Sequence, residues 1–222
     1  MVIIGVAAAP ASGKSTVARL LADLGATWIN ADTIAHEVLT RPEIIATLVS
    51  HFGGEICSPD GTIDRRALAS RVFVAGQQRS AELGFLESIV HPPTHAEIMR
   101  QMVDAGSRDS IGVVLDVPLL FESGWANQCD EIWFIDTSVT IQAAEAARRN
   151  WSANELGDRQ RRQMDVAEKR RLSTRVISNH GSIAELEQHA KKNWLDCVRP
   201  SAVDADQFEK GNHCQPWRGN GY

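Results

Sequence analysis

Three groups of residues in this chain have types and spacings suited to chemistry on phosphate. The first is Ala8-Ala9-Pro10-Ala11-Ser12-Gly13-Lys14-Ser15-Thr16, set between an apolar run and an amphipathic segment. In that setting it reads as the end of a phosphate loop. Successive backbone N–H groups, from Ala11 to Thr16, line a concave turn, and the helix that follows adds the positive end of its dipole. Lys14 supplies a point charge for the β- and γ-phosphates of a bound nucleotide, and the Ser15 hydroxyl is the usual protein ligand for Mg²⁺. Glycine is usual at position 8 and common at position 11, but alanine stands at both. A left-handed backbone at either site would cost alanine roughly 1–2 kcal/mol.

The second group is a pair of acids at strand ends. Asp116 closes the run Gly112-Val113-Val114-Leu115. From there it can hold Mg²⁺ directly or through water, or it can cap the turn before Pro118. Asp32 follows an apolar run, so it belongs at the carboxyl edge of a sheet, where ligands of open α/β sheets collect. It can orient and deprotonate an attacking hydroxyl, or it can cap a helix over 33–39; its spacing suits both equally. The third group is the basic segment 148–171 with Arg148, Arg149, Arg159, Arg161, Arg162, Lys169, Arg170 and Arg171. Guanidinium groups on a flap can neutralise charge building on a transferred phosphoryl group. Asp158, Asp165 and Glu168 are placed to pair with most of these cations, so one or two are expected to reach the phosphates.

The elements that must position these groups follow an alternating pattern. Continuous apolar runs at 2–7, 27–30, 112–116, 131–136 and 175–178 suit strands buried on both faces of a parallel sheet. A helix over 14–24 carries Val17, Leu20, Leu21 and Leu24 at helical spacing and stops at Gly25. Four helical stretches then follow, at 33–39, 42–52, 65–74 and 81–105, with a turn at Pro59-Asp60-Gly61. An all-helical block inside an α/β chain reads as an insertion that covers a substrate. His91 and His95 have the spacing of a helical metal pair, but two prolines interrupt the helix there and a third ligand is lacking. The tryptophans read as packing residues.

The chain has 222 residues, 43% hydrophobic and 23% charged, which is a globular balance able to bury a full core. The apolar run 1–9 is far short of the ~20 residues of a membrane span and lacks the basic start of a signal peptide. A net charge of −5 argues against a general nucleic-acid binder. The cysteines (57, 129, 197 and 214) show no CxxC spacing and fit a reducing cytoplasm. The polar tail 199–222 reads as a flexible appendage.

Several further motifs carry a resemblance. They are Asn30-Ala31-Asp32, Asp60-Gly61-Thr62-Ile63-Asp64-Arg65-Arg66-Ala67-Leu68, His91-Pro92, Asp116-Val117-Pro118-Leu119-Leu120-Phe121-Glu122, Gln163-Met164 and Val176-Ile177-Ser178-Asn179-His180-Gly181. With the phosphate loop, and in this order, they resemble the dephospho-coenzyme A kinase family from Ile4 to about Leu195. The resemblance implies a P-loop NTPase three-layer α/β fold with a five-stranded parallel sheet, formed by 1–31, 111–147 and 172–198. It also implies a helical acceptor-binding domain over 32–110 and a lid over 148–171. The implied reaction moves the γ-phosphate of ATP to the 3′-hydroxyl of the dephospho-coenzyme A ribose, with Mg²⁺.

By the same resemblance Lys14, Asp32 and Arg149 are catalytic, and Asn179 and Gly181 sit beside the adenine. Asp32, Arg65, His91, Pro118, Leu119 and Glu122 meet the acceptor, while Ser15 and Asp116 serve the metal. The chain departs from the family at Ala8–Ala11, where the loop is mostly glycine, at Asn30, usually aspartate, and at Glu145, where arginine is common. The expected protein is cytoplasmic, a monomer or weak oligomer, without nucleic-acid or membrane partners. Two other readings remain open: another small-molecule P-loop kinase acting on a nucleoside or nucleotide, and an ATP-binding regulatory protein without turnover. A GTPase is set aside for want of an Asn-Lys-x-Asp guanine reader.

Overall fold

The computed structural model describes residues 1–73, 78–108, 110–161 and 163–198. The expected tail, with Cys214 and Trp217, lies outside the described residues, as do Val74 and Arg162. Strands β1 (Val2–Ala8), β2 (Thr27–Asn30), β3 (Gly112–Asp116), β4 (Glu131–Thr137) and β5 (Arg175–Asn179) form one five-stranded sheet in the order β2-β3-β1-β4-β5. Every pairing is parallel. Strand ends agree with the sequence reading to within one residue; β1, β3 and β4 are largely buried and apolar, whereas the edge strand β5 alternates, exposing Val176 and Ser178. The chain order reverses direction at β1, so the carboxyl edge beside it is the crevice in which such sheets bind ligands. Register brings Asn30 level with Asp116 and Thr137 level with Asn179 at that edge.

Two apolar layers sandwich the sheet. On one face α1 (Lys14–Asp23) supplies Val17, Ala18 and Leu21, and α9 (Ile183–Val198) supplies Leu186, Ala190 and Trp194, against Ile4, Val6, Trp133 and Ile135. On the other face α5 (Gln78–Ser107) packs Ile98, Met102 and Ala105 on Val113, Leu115 and Phe134. Between β2 and β3 the chain forms α2 (Ala31–Val38), α3 (Pro42–Phe52), α4 (Arg65–Val72) and α5, a mainly helical block with one antiparallel bridge, Cys57 to Ile63, and its own core around Leu48, Ile56, Leu68 and Val72.

Helix α5 joins the block to the sheet. Its first half contributes Leu83, Phe85, Leu86 and Ile89 to the small core, and its second half lies on the sheet. Pro92 and Pro93 lie inside this helix and do not interrupt it, contrary to the expectation from sequence. Each removes one backbone donor, and the Thr94 hydroxyl donates to the Val90 carbonyl at 2.7 Å. The basic segment contains α7 (Ala153–Arg161) and α8 (Val166–Leu172) after α6 (Val139–Arg148). Asp165 caps α8 by accepting from the Ala167 and Glu168 amides. No helix among the described residues is long and apolar enough to cross a membrane.

The outer strands are tied by an ion pair. Arg175 on β5 donates to both carboxylate oxygens of Glu131 on β4, at 2.5 and 2.9 Å. Arg175 holds the Glu131 carboxyl at about 2, and the Trp133 and Cys197 side chains also donate to it. Because the folded-state value is depressed, the stabilisation is complete at neutral pH and fades as pH falls from about 5 to about 2. Glu131→Gln should therefore lower Tm at pH 7, and the gap from the parent should close as unfolding is followed down to about pH 2.

Candidate active site

The turn after β1 delivers the loop. Helix α1 begins at Lys14 with Gly13 as its cap residue in the left-handed region (φ 80°) and with no side chain bonded to its first amides. The Thr16 amide donates to the Gly13 carbonyl at 3.0 Å, and an anion in the turn would complete the Lys14 and Ser15 amides before it. Ala11 is also left-handed (φ 60°), so the alanine carries the strain anticipated from sequence, whereas Ala8 ends β1 without it. Two buried side chains fix the loop from beneath. Thr137 donates its hydroxyl to the Ser12 carbonyl at 2.9 Å, and the Asn179 amide donates to the same carbonyl at 3.3 Å. The Ser12 hydroxyl is itself buried and has no partner among the described residues, a buried polar atom open to a ligand.

Lys14 crosses to β3. Its ammonium meets Asp116 Oδ1 at 2.9 Å, and the Asn30 amide donates to Oδ2 at 3.3 Å. Asp116 is therefore buried and held by two neighbours. Asn30 also caps α2, accepting from the Thr33 amide at 2.9 Å. The cap that Asp32 might have supplied thus belongs to the residue two positions earlier. Asp32 itself lies in the first turn of α2, exposed and without a hydrogen bond or ion pair among the described residues.

Three cavities meet at this edge. The first is lined by Ala8 to Ser15, Asp32, Pro118, Leu119, Arg149, Trp151, Arg159, Gln163 and Lys169. The second, about 460 Å³ and mostly apolar, is walled by Asp32, Ala35, His91, His95, Ile98, Pro118, Leu119 and Trp125. Asp32, Pro118 and Leu119 belong to both and form their shared wall. Leu119 holds that wall in a left-handed backbone (φ 57°), an uncommon conformation for a branched residue. The third cavity lies behind the loop, between Gly13, Thr16, Ile141, Glu145, Asn179 and Gly181.

Most of the residues singled out from sequence thus converge: the loop 11–15, Asp32, Pro118, Leu119 and Arg149 at the first cavity, His91 at the second, Thr16, Asn179 and Gly181 at the third. Asp116 lines none of the three but joins the first through Lys14. Arg65 and Glu122 do not converge. Arg65 is exposed on the first turn of α4 and lines none of these cavities. Glu122, expected against the acceptor, instead accepts from the Met164 amide at 2.6 Å and pairs with Lys169 at 3.3 Å. Burial pushes its carboxyl up, but the Met164 amide and Lys169 outweigh that and leave it below the usual range. It ties Met164 and helix α8 to the loop after β3.

Several site residues escaped the sequence reading. Trp151 lies under two cations, Arg159 at 4.0 Å and Arg149 at 5.5 Å from its ring. Glu145, at one of the noted departures, takes Arg149 at 2.7 Å and Arg148 at 2.8 Å. His95 lies against Trp125, with ring centroids 4.6 Å apart. None of these has a local signal, since each depends on which helix faces which.

A parallel sheet with a strand–loop–helix cradle at its switch point, a lysine aimed along the edge and a basic helical flap define a P-loop nucleotide-binding protein of the kinase type. The comparisons agree. The family model described as "CoaE: Dephospho-CoA kinase" matches residues 2–185. A dephospho-CoA kinase of Rhodopirellula baltica is 42% identical over 186 residues, covering 84% of this chain and 86% of that protein. One from Symbiobacterium thermophilum is 40% identical, covering 87% and 80%. The crystal structure of TT1252 from Thermus thermophilus aligns with TM-score 0.74 at 32% identity, covering 90% of this chain and 98% of that one. A dephospho-CoA kinase structure from Campylobacter jejuni aligns with TM-score 0.67 at 27% identity, covering 88% and 96%. The chain belongs to the dephospho-CoA kinase family.

The left-handed alanine yields a direct test. Ala11→Gly should raise stability by about 1 kcal/mol, the relieved backbone strain outweighing the added freedom of the unfolded chain. Thermal unfolding checks this as an increase of about 2–4 °C in Tm.

Proposed function

We propose that this protein transfers the γ-phosphate of ATP to the 3′-hydroxyl of the dephospho-coenzyme A ribose, giving coenzyme A and ADP. One observation carries the reading: the unpartnered Asp32 carboxylate stands on the wall between a cationic phosphate cavity and a larger apolar cavity. A phosphoryl donor and an alcohol acceptor held in those two spaces meet at that carboxylate.

The chain's own residues then divide the work. The loop amides and Lys14 bind the phosphate chain, and the Ser12 hydroxyl offers it a further hydrogen bond. Asp32 accepts a hydrogen bond from the acceptor hydroxyl, aims it at the γ-phosphorus and takes its proton late. Arg149, steadied by Glu145 and Trp151, neutralises charge spreading over the transferred group. The shelf at Asn179 and Gly181 accommodates the nucleoside. His91, Pro118 and Leu119 take the acceptor.

The residues present fit Mg²⁺ bound mainly through its substrate. The described residues contain no group of three or more metal-ligating side chains, so the protein donors are the Ser15 hydroxyl and the Asp116 carboxylate. Both Asp116 oxygens already accept a bond, which favours an outer contact through water. Bound there, the ion would shield the charge of the β- and γ-phosphates. Free thiols at Cys57, Cys129 and Cys197, with Cys129 and Cys197 pushed up to about 12 by burial, suit a reducing compartment such as the cytoplasm.

A coupled ADP-release assay over a panel of acceptors tests the reading, with Lys14→Ala as the blank. Turnover is expected with dephospho-coenzyme A and little with nucleoside monophosphates. Asp32→Asn should lower kcat by about 10²–10⁴-fold while ATP affinity changes little. A preference for nucleotide acceptors, or an Asp32→Asn variant of parental activity, would overturn it.

A further inference from the structure

The walls of the phosphate cavity hold a second lysine. Lys169, in the middle of α8, is only 3% exposed, yet it lines the cavity that Lys14 enters from the opposite element. Lysine is almost never buried unless paired, and this one is paired incompletely. Its ammonium donates to Gln163 Oε1 at 2.8 Å and meets Glu122 Oε1 at 3.3 Å. An ammonium has three N–H groups, so one is left without an acceptor among the described residues. The Glu122 oxygen is shared, since it also accepts from the Met164 amide. Helix α8 packs against β1 and β4, so Lys169 is fixed by the sheet and does not ride on a free side-chain tether.

Cations dominate the lining of the cavity. Lys14, Arg149, Arg159 and Lys169 line it with the carboxylate of Asp32, while Asp116, Glu145 and Glu122, which pair with Lys14, Arg149 and Lys169, stand behind them. Lys14 is close enough to Lys169 to act with burial in pushing its ammonium down, and Glu122 opposes them. Each ammonium has its own carboxylate, yet both face one small space, and a polyanion between them would be attracted by both. A lysine serving only to anchor α8 to Glu122 would gain nothing from lining this cavity.

We propose that Lys169 is a second phosphate-binding residue, which contacts the terminal phosphate of ATP opposite Lys14 while Glu122 and Gln163 position its ammonium. This rests on the kinase reading above and adds to it a charge from the lid side, held at the cavity by the fold itself. Glu122 then acts through Lys169, which explains why it turns away from the acceptor cavity.

Isothermal titration of the full-length chain with ATP, ADP and AMP separates this role from a structural one. Lys169→Met should bind ATP at least about tenfold more weakly, as expected for loss of a charge-assisted hydrogen bond, with a smaller loss for ADP and none for AMP. Lys169→Arg should restore part of the ATP affinity, and the KM for dephospho-coenzyme A should stay within about threefold of the parent in either variant. Lys169→Gln, which keeps a neutral donor for Glu122, carries the same comparison should the methionine variant not fold. Equal losses for all three nucleotides, or a lowered Tm with ATP affinity intact, would make Lys169 a helix anchor and overturn the proposal. If Lys14→Met loses ATP while Lys169→Met does not, the inference falls and the kinase reading stands. If the parent protein binds no ATP, both fall.

Discussion

An uncapped helix start beneath a ring of cations is an arrangement that only an anion can complete. Helix α1 begins with no side-chain acceptor for its first amides, the Ser12 hydroxyl is buried without a partner, and four cationic side chains line the same space. Much of the surrounding structure serves to keep that arrangement from collapsing on itself. Thr137 and Asn179, level with each other on β4 and β5, pull the Ser12 carbonyl away from the concavity. Asp116 holds Lys14 along the strand edge, and Asn30 holds Asp116. Ala11 accepts a left-handed backbone to complete the curve. Each contact is ordinary, and together they spend native-state stability on a site that is finished only by its ligand.

On the proposed reading, the shared wall of the two cavities is what brings two substrates together. It depends on α2 starting immediately after β2, so that Asp32 emerges one turn from the sheet edge, and on the Pro118–Leu119 corner after β3. The helical block contributes the opposite side through α5, whose single long axis belongs to the block's core at one end and the sheet's at the other. A helix of 30 residues spans about 45 Å, long enough to fix the acceptor cavity rigidly against the phosphate cavity. The flap is fastened by separate means: Glu122 to Met164 and Lys169, and Arg170 to Asp136 at 2.5 Å.

What the sequence disclosed was what local pattern determines. The central parallel strands are buried and largely apolar, and the edge strands β2 and β5 keep a short apolar centre, so all five were legible to within a residue, and the phosphate loop showed itself between a strand and a helix. Asp32 was ambiguous because asparagine and aspartate cap helices equally well; only backbone geometry shows that Asn30 takes that task and leaves the carboxylate free. Lys169 was one cation in a basic run, since burial of one face of α8 depends on a sheet far away in sequence. Glu122 followed the family motif to the right loop, but its direction is set by Met164, which is 42 residues further on. Pro92 and Pro93 read as breaks because propensity counts the lost donors without the packing that holds α5 together on both sides of them.

The most direct measurement is a crystal structure of the protein with a non-hydrolysable ATP analogue and dephospho-coenzyme A bound together. The account predicts the terminal phosphorus inside the turn formed by residues 11–16 and the ribose hydroxyl about 3–3.5 Å from it in line. It also predicts Asp32 within about 2.6–3.2 Å of that hydroxyl. A triphosphate seated elsewhere, or an acceptor hydroxyl beyond the reach of Asp32, would contradict it.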